Sequence, residues 1–139
     1  MWKKFALSIL IFAFYGCAAK DWGARQAFPN HQQLVGVYFW GDGMGANEVL
    51  TLHSDGTFTQ EFPGHLTQQS TSLRGVWRSR EKHVFFYSPD GTFPPRRGGL
   101  TYGETFFFEG KPAFVGEADI GKKGVSRSWV YKWQRRPDA

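Results

Sequence analysis

Leu50-Thr51-Leu52-His53-Ser54-Asp55-Gly56-Thr57-Phe58-Thr59-Gln60-Glu61-Phe62 is the stretch that decides the fold. Glu48 to His53 alternates, setting Val49, Thr51 and His53 against Leu50 and Leu52, the two-residue period of a strand with one buried face. Ser54-Asp55-Gly56-Thr57 then supplies Asp-Gly, which adopts the positive φ values that a tight hairpin turn needs. Thr57 to Phe62 returns as a second strand, with Phe58, Gln60 and Phe62 on one face.

The same pattern continues on both sides. Leu34 to Trp40 is aromatic and β-branched until Gly41-Asp42-Gly43-Met44-Gly45 breaks it. Leu73 to Arg80 alternates, with Leu73, Gly75 and Trp77 on one face and Arg74, Val76 and Arg78 on the other. Glu81-Lys82 turns the chain into His83 to Ser88. Ser88 to Gly99, rich in Pro and Gly, is expected to be a long surface loop. Tyr102 to Phe108 and Ala113 to Ala118 flank a hairpin signal at Glu109-Gly110-Lys111-Pro112. Val125, Arg127, Trp129, Tyr131 and Trp133 fall on one face of an expected last strand. Asp-Gly-Thr-Phe occurs at 55–58 and again at 90–93; the flanks differ, so the repeat reads as reused turn chemistry.

Composition agrees. Aromatic residues make up 18% of the 139-residue chain and Gly occurs 17 times, which favours pleated surfaces and tight turns over a helical bundle. The expected fold is all-β: about eight short antiparallel strands forming a small barrel, whose closure removes the edges that aromatic strands would otherwise expose.

The first twenty residues carry a different signal. Lys3 and Lys4 precede an apolar or small-residue run from Phe5 to Tyr15, shorter than the roughly 20 residues of a spanning helix. Gly16-Cys17-Ala18-Ala19 then provides small residues for cleavage, the pattern of a secretory signal. Phe14-Tyr15-Gly16-Cys17 resembles the lipobox of bacterial lipoproteins, matching at Gly16 and Cys17 and departing at Phe14 and Tyr15. The resemblance implies cleavage after residue 16 and lipidation of Cys17, palmitate among the acyl chains. With Ala18 following, it also implies an outer-membrane position facing the periplasm. An ordinary cut after Ala19, giving a soluble periplasmic or secreted protein, stays open, as does an uncleaved membrane anchor. Cys17 is the only cysteine, so no intrachain disulfide forms, and lipidation gives a lone thiol in an oxidising compartment a reason to exist. The expected organisation is a signal over 1–16, a lipidated start and flexible tether over 17–32, and one barrel domain over 33–135.

A second resemblance covers 34–88. A strand, Leu50-Thr51-Leu52-His53-Ser54-Asp55-Gly56-Thr57-Phe58, then Gly75-Val76-Trp77 and a further apolar strand are similar to small lipocalin-like (calycin-type) barrels, several of them bacterial lipoproteins. Copper-homeostasis lipoproteins with a related barrel carry a Cys-x-x-Cys pair in this region, which this chain lacks.

The motifs of chemistry are sparse. His31, His53, His65 and His83 have no metal-ligand spacing, so no metal and no cofactor are expected. Neither a Gly-x-Ser-x-Gly elbow nor a phosphate-binding Gly-x-x-x-x-Gly-Lys-Ser/Thr loop occurs, and Gly41 to Gly45 opens no helix. Glu48, Glu61 and Glu104 are candidates to face the interior, where an acid–base group would be held. The ligand-binding candidates are Phe58, Phe62, Trp77 and Trp129 of the aromatic interior, which either encloses an apolar ligand or is filled by side chains. Arg96 and Arg97, in the Phe93-to-Gly99 loop, suit an anionic or protein partner. Without Lys3 and Lys4 the net charge of +5 falls to +3, a mild balance. The basic run from Lys122 to Arg136 is read as a solvated strand face, and no nucleic-acid partner is expected. The functional expectation is a non-catalytic envelope lipoprotein binding a small apolar ligand or an envelope protein. The alternatives are a filled-core interaction protein using the Arg96-Arg97 loop or the basic last strand, and an enzyme with polar groups clustered inside the barrel.

Overall fold

The computed structural model describes residues 27–44, 47–63, 69–95 and 99–138. Cys17 with the whole signal region, His65, and the Arg96-Arg97 pair lie outside the described residues.

Eight antiparallel strands close into an up-and-down barrel in sequence order. They are β1 (Gly36–Gly41), β2 (Asn47–Leu52), β3 (Thr57–Phe62), β4 (Thr71–Arg80), β5 (His83–Tyr87), β6 (Tyr102–Phe108), β7 (Lys111–Gly116) and β8 (Tyr131–Arg135). β1 pairs with β2 on one side and with β8 on the other, with a register shift at Val37/Tyr38 where the barrel closes. The expected all-β barrel is therefore the observed architecture.

The deciding hairpin forms as read. His53 N–H donates to the Thr57 carbonyl at 2.9 Å, Gly56 turns at φ 84°, and Leu52 pairs with Phe58. Leu50, Leu52, Phe58 and Gln60 point inward. The repeated Asp-Gly-Thr-Phe does reuse one device. Asp55 Oδ1 accepts from Thr57 N–H at 2.9 Å and Asp90 Oδ1 from Thr92 N–H at 3.0 Å, with Gly56 and Gly91 both left-handed. The turn between β6 and β7 is shorter than expected. Glu109 and Gly110 take φ 51° and 74°, the conformation of a two-residue hairpin turn, so Lys111 and Pro112 join β7.

The last strand departs from the expectation. β8 starts at Tyr131, and Arg127–Trp129 form a short 3-10 helix, η2, after an earlier one, η1, at Glu117–Asp119. Gly121 and Gly124 turn with positive φ, and Ser126 Oγ accepts from Ser128 N–H, so the chain coils before it extends. Val125 and Val130 pack with Phe106, Phe108, Ala113 and Val115, covering the outer face of β6–β7. That burial outweighs the alternating pattern, which alone would have continued the strand.

A one-turn helix, α1 (His31–Leu34), straddles the expected boundary between tether (17–32) and barrel domain (33–135), and takes in Leu34, which was expected to open the first strand. Asn30 and Gln33 form a reciprocal capping box, and Leu34 is fully buried against the barrel core.

Candidate functional site

The strand directions give the barrel two unlike ends. One carries the tight turns after β2, β4 and β6, together with α1. The other carries the long connections after β1, β3, β5 and β7.

The first end is sealed, and each of its polar groups holds the seal. Tyr38 OH donates to the Leu34 carbonyl at 2.7 Å, and Trp133 Nε1–H to the Val35 carbonyl at 3.2 Å. Trp77 Nε1–H donates to the His53 carbonyl at 2.9 Å. The His31 ring stacks on Trp77 with centroids 4.3 Å apart, its Nδ1 2.9 Å from Ser79 Oγ. The middle is filled by Tyr38, Leu50, Leu52, Phe58, Trp77, Val84, Phe86 and Phe114. Phe58 meets Phe86 edge-on at 5.1 Å, and Phe114 stacks on Tyr131 at 4.5 Å.

The second end is where interior polarity collects. Glu48 Oε2 accepts from Gln60 Nε2 at 2.7 Å and from Tyr131 OH at 2.6 Å. Gln60 Oε1 accepts from the Leu100 backbone N–H at 3.4 Å, tying the β5–β6 connection across the mouth. Trp40 is the cross-strand partner of Glu48 and so lies on the same face; its ring is 4.8 Å from Trp129 and 6.0 Å from Tyr131. Burial, then the Glu48 charge and hydrogen bond, push the Tyr131 phenol far above the ordinary tyrosine range, so it remains a donor.

Leu100 separates two depressions at this mouth. One, of about 540 Å³, is lined by Phe58, Gln60, Leu73, Arg74, Ser88 and Asp90, among others. The other, of about 550 Å³, is lined by Trp40, Thr101, Glu117, Asp119 and Tyr131 with backbone between them. Both fall within the size range of small-molecule sites.

The four aromatic candidates do not converge. Phe58 and Trp77 are core residues at different depths, Phe62 is half-buried at the open rim, and Trp129 on η2 is 38% exposed. Of the three carboxylates, only Glu48 faces inward. Glu61 is exposed, and Glu104 sits outside with Lys82 at 3.3 Å and His83 at 4.0 Å. Among the described residues no group of three or more His, Cys, Asp or Glu side chains is arranged to hold a metal ion. Also among the described residues, no helix is long and apolar enough to cross a membrane. The basic run is partly engaged: Lys122 pairs with Asp119, Arg127 with Glu109, and Lys132 donates to the Arg127 carbonyl.

Gln60, Tyr131, Trp40 and Leu100 were not singled out by sequence. Gln60 had a usable signal, a polar residue inside an inward row between Phe58 and Phe62. Tyr131 and Trp40 had none, since their roles depend on where β1 and β8 meet.

A third feature lies outside the barrel. Phe85, Tyr87, Phe93 and Tyr102 form a continuous ring cluster with centroid separations of 5.4 to 6.2 Å, and Arg78 lies over Tyr87. Phe93, 46% exposed, ends it, three residues before Arg96 in the sequence. The chain matches no family model, no curated protein and no solved structure.

Proposed function

We propose that this chain is an exported, lipid-anchored, lipocalin-like binding module that takes a small ligand with an apolar body at the open end of its barrel. One observation carries the binding half. The interior polar groups and two depressions meet at the open end, whereas the middle and the opposite end are occupied by side chains. A ligand therefore docks at the mouth, against Leu73 and Leu100, rather than threading the barrel. The anchoring half rests on Lys3, Lys4, the Phe5-to-Tyr15 run and Gly16-Cys17, with an outer-membrane position as its consequence.

Titration with Nile red tests the first half. Emission is expected to rise and shift to the blue with the wild type and to fall strongly with Leu73→Asp, a half-buried rim residue whose charge spoils an apolar contact. Equal emission from both proteins, or none from either, overturns mouth binding. Labelling cells with a palmitate analogue tests the second: label on the wild type and none on Cys17→Ser is expected, and equal labelling removes the role of Cys17.

The aromatic outer face favours a second reading, a contact with an envelope protein through Phe93 and the neighbouring Arg96-Arg97 pair. In-cell crosslinking of Phe93→Ala and of Arg96→Ala/Arg97→Ala is then expected to lose a wild-type adduct. An unchanged pattern removes that surface.

A further inference from the structure

We infer that the head group recognised at the open end is an organic cation, held between Glu48 and the Trp40–Tyr131 wall. This rests on the mouth-binding reading above and adds to it the ligand's charge.

Among the described residues, the donors that reach Glu48 at the barrel mouth are both neutral. Both of its hydrogen bonds, from Gln60 and Tyr131, reach one oxygen, Oε2. Among the described residues Oε1 has no protein donor, and no Lys or Arg pairs with Glu48. Oε1 is not sealed from solvent, so it is open to a cation arriving at the mouth. Gln60 and Tyr131 fix the carboxylate's orientation and leave Oε1 as the free acceptor.

The wall beside it is aromatic. Trp40 shares the face of Glu48 by register, and Trp129 and Tyr131 stand within 6.0 Å of its ring centre. Ring faces attract cations, tryptophan most strongly. The adjoining depression of about 550 Å³ adds Glu117 and Asp119, the latter paired with Lys122 at 3.2 Å, and among the described residues no Lys or Arg lines it. This acidic, aromatic lining stands in a chain whose net charge is +5, or +3 without Lys3 and Lys4, so it is not an average of the surface. An anion would meet Glu117 and the Lys122-paired Asp119 there, with Glu48 hydrogen-bonded to Tyr131 of the same wall. A bare metal ion would find no set of three ligands among the described residues. An ammonium bearing apolar substituents satisfies Glu48, the rings and Leu100 together.

Three probes sharing one alkyl chain test this on the folded protein: decyltrimethylammonium, 1-decanol and decyl sulfate, each below its micelle concentration, followed by tryptophan fluorescence and calorimetry. The ammonium is expected to bind about tenfold or more tighter than the sulfate, from ion pairing and cation–π contact combined. Glu48→Gln keeps shape and acceptor, and is expected to remove most of that preference while leaving decanol affinity unchanged. Trp40→Leu keeps apolar bulk without a π face, and is expected to weaken the ammonium alone. Circular dichroism verifies that each variant is folded, and either variant suffices if the other is not. Equal binding of the three probes overturns the cation inference and leaves mouth binding standing. Binding of none overturns both.

Discussion

Gly75 and Gly36 show how the barrel admits so many rings. A Cβ on Gly75 would meet the Tyr87 carbonyl oxygen and the Phe58 ring, whereas a Cβ on Gly36 would meet the Trp133 indole. The two obstacles differ in kind. Tyr87 O is backbone and held by the sheet; Trp133 is a half-buried side chain, which can shift where a sheet carbonyl cannot. Gly75→Ala is therefore expected to destabilise by about 1–3 kcal/mol, the usual range for overpacking, and by more than Gly36→Ala. Gly36→Ala should instead displace Trp133 from its hydrogen bond to the Val35 carbonyl, seen as a shift in tryptophan emission. Urea unfolding of both variants checks the order, and equal costs would refute it. Alternation in sequence placed Gly75 inward beside Leu73 and Trp77. The need for glycine was not legible there, because it comes from the β3–β4 register that sets Phe58 opposite Gly75. Glu48 is the same lesson in reverse: three carboxylates looked eligible, and only the strand pairing distinguishes the one that turns in.

Among the elements, the short turns were the most legible, because Asp55-Gly56 and Glu109-Gly110 carry their geometry locally, although the second turn is two residues shorter than its signal. The Asp55 turn has a titratable signature. The Thr57 hydroxyl, at 2.6 Å, and the Thr57 N–H hold the Asp55 carboxyl below the usual carboxylate range. Its folded value is depressed, so its contribution to stability is present above the ordinary aspartate value and is lost as pH falls through the folded one. Asp55→Ala should accordingly lower the urea midpoint at pH 7 and make a smaller difference at pH 2, where the wild-type carboxyl is closer to protonation. A constant difference at both values would refute the assignment. α1 was not legible, since four residues show no helical period. Its anchor is tertiary: Leu34 fills the sealed end and its carbonyl accepts the Tyr38 hydroxyl. Leu34→Ala is expected to cost about 2–5 kcal/mol by leaving a cavity, and Asn30→Ala about 1 kcal/mol by removing the cap. Reversing that order in denaturant titrations would mean that α1 stabilises by its own helicity rather than as a plug. The β8 boundary failed for a related reason, as Val125 and Val130 bury on the outside of the barrel, a face that the alternation pattern treats as solvent.

At the level of the whole molecule, burial couples stability to alkaline pH. Tyr38 and Tyr131 stand at opposite ends of the filled interior, and burial pushes both phenols far above the ordinary range; for Tyr131 the Glu48 charge adds to it. An unfolded chain releases protons from its tyrosines at about pH 10, while the folded barrel keeps these two. The unfolded state then binds fewer protons, so stability falls as pH rises above that point. Each retained proton contributes a slope of about 1.4 kcal/mol per pH unit once the unfolded tyrosine is ionised, so the pair gives about twice that. Tyr131→Phe removes one of the two groups. It is expected to cost about 1.5–3 kcal/mol at pH 7, where a hydrogen bond to a charged acceptor is lost, and to roughly halve the alkaline slope. Tyr38→Phe should halve the slope as well, yet it forfeits a neutral bond to a carbonyl, worth only about 1 kcal/mol. Urea unfolding between pH 7 and 12, with phenolate absorbance followed alongside, separates the two contributions. In the wild type the Tyr38 and Tyr131 signals should appear only with unfolding. Ionisation of either phenol while the barrel remains folded would show water reaching it, and for Tyr131 would mean that the Glu48 cluster opens to solvent.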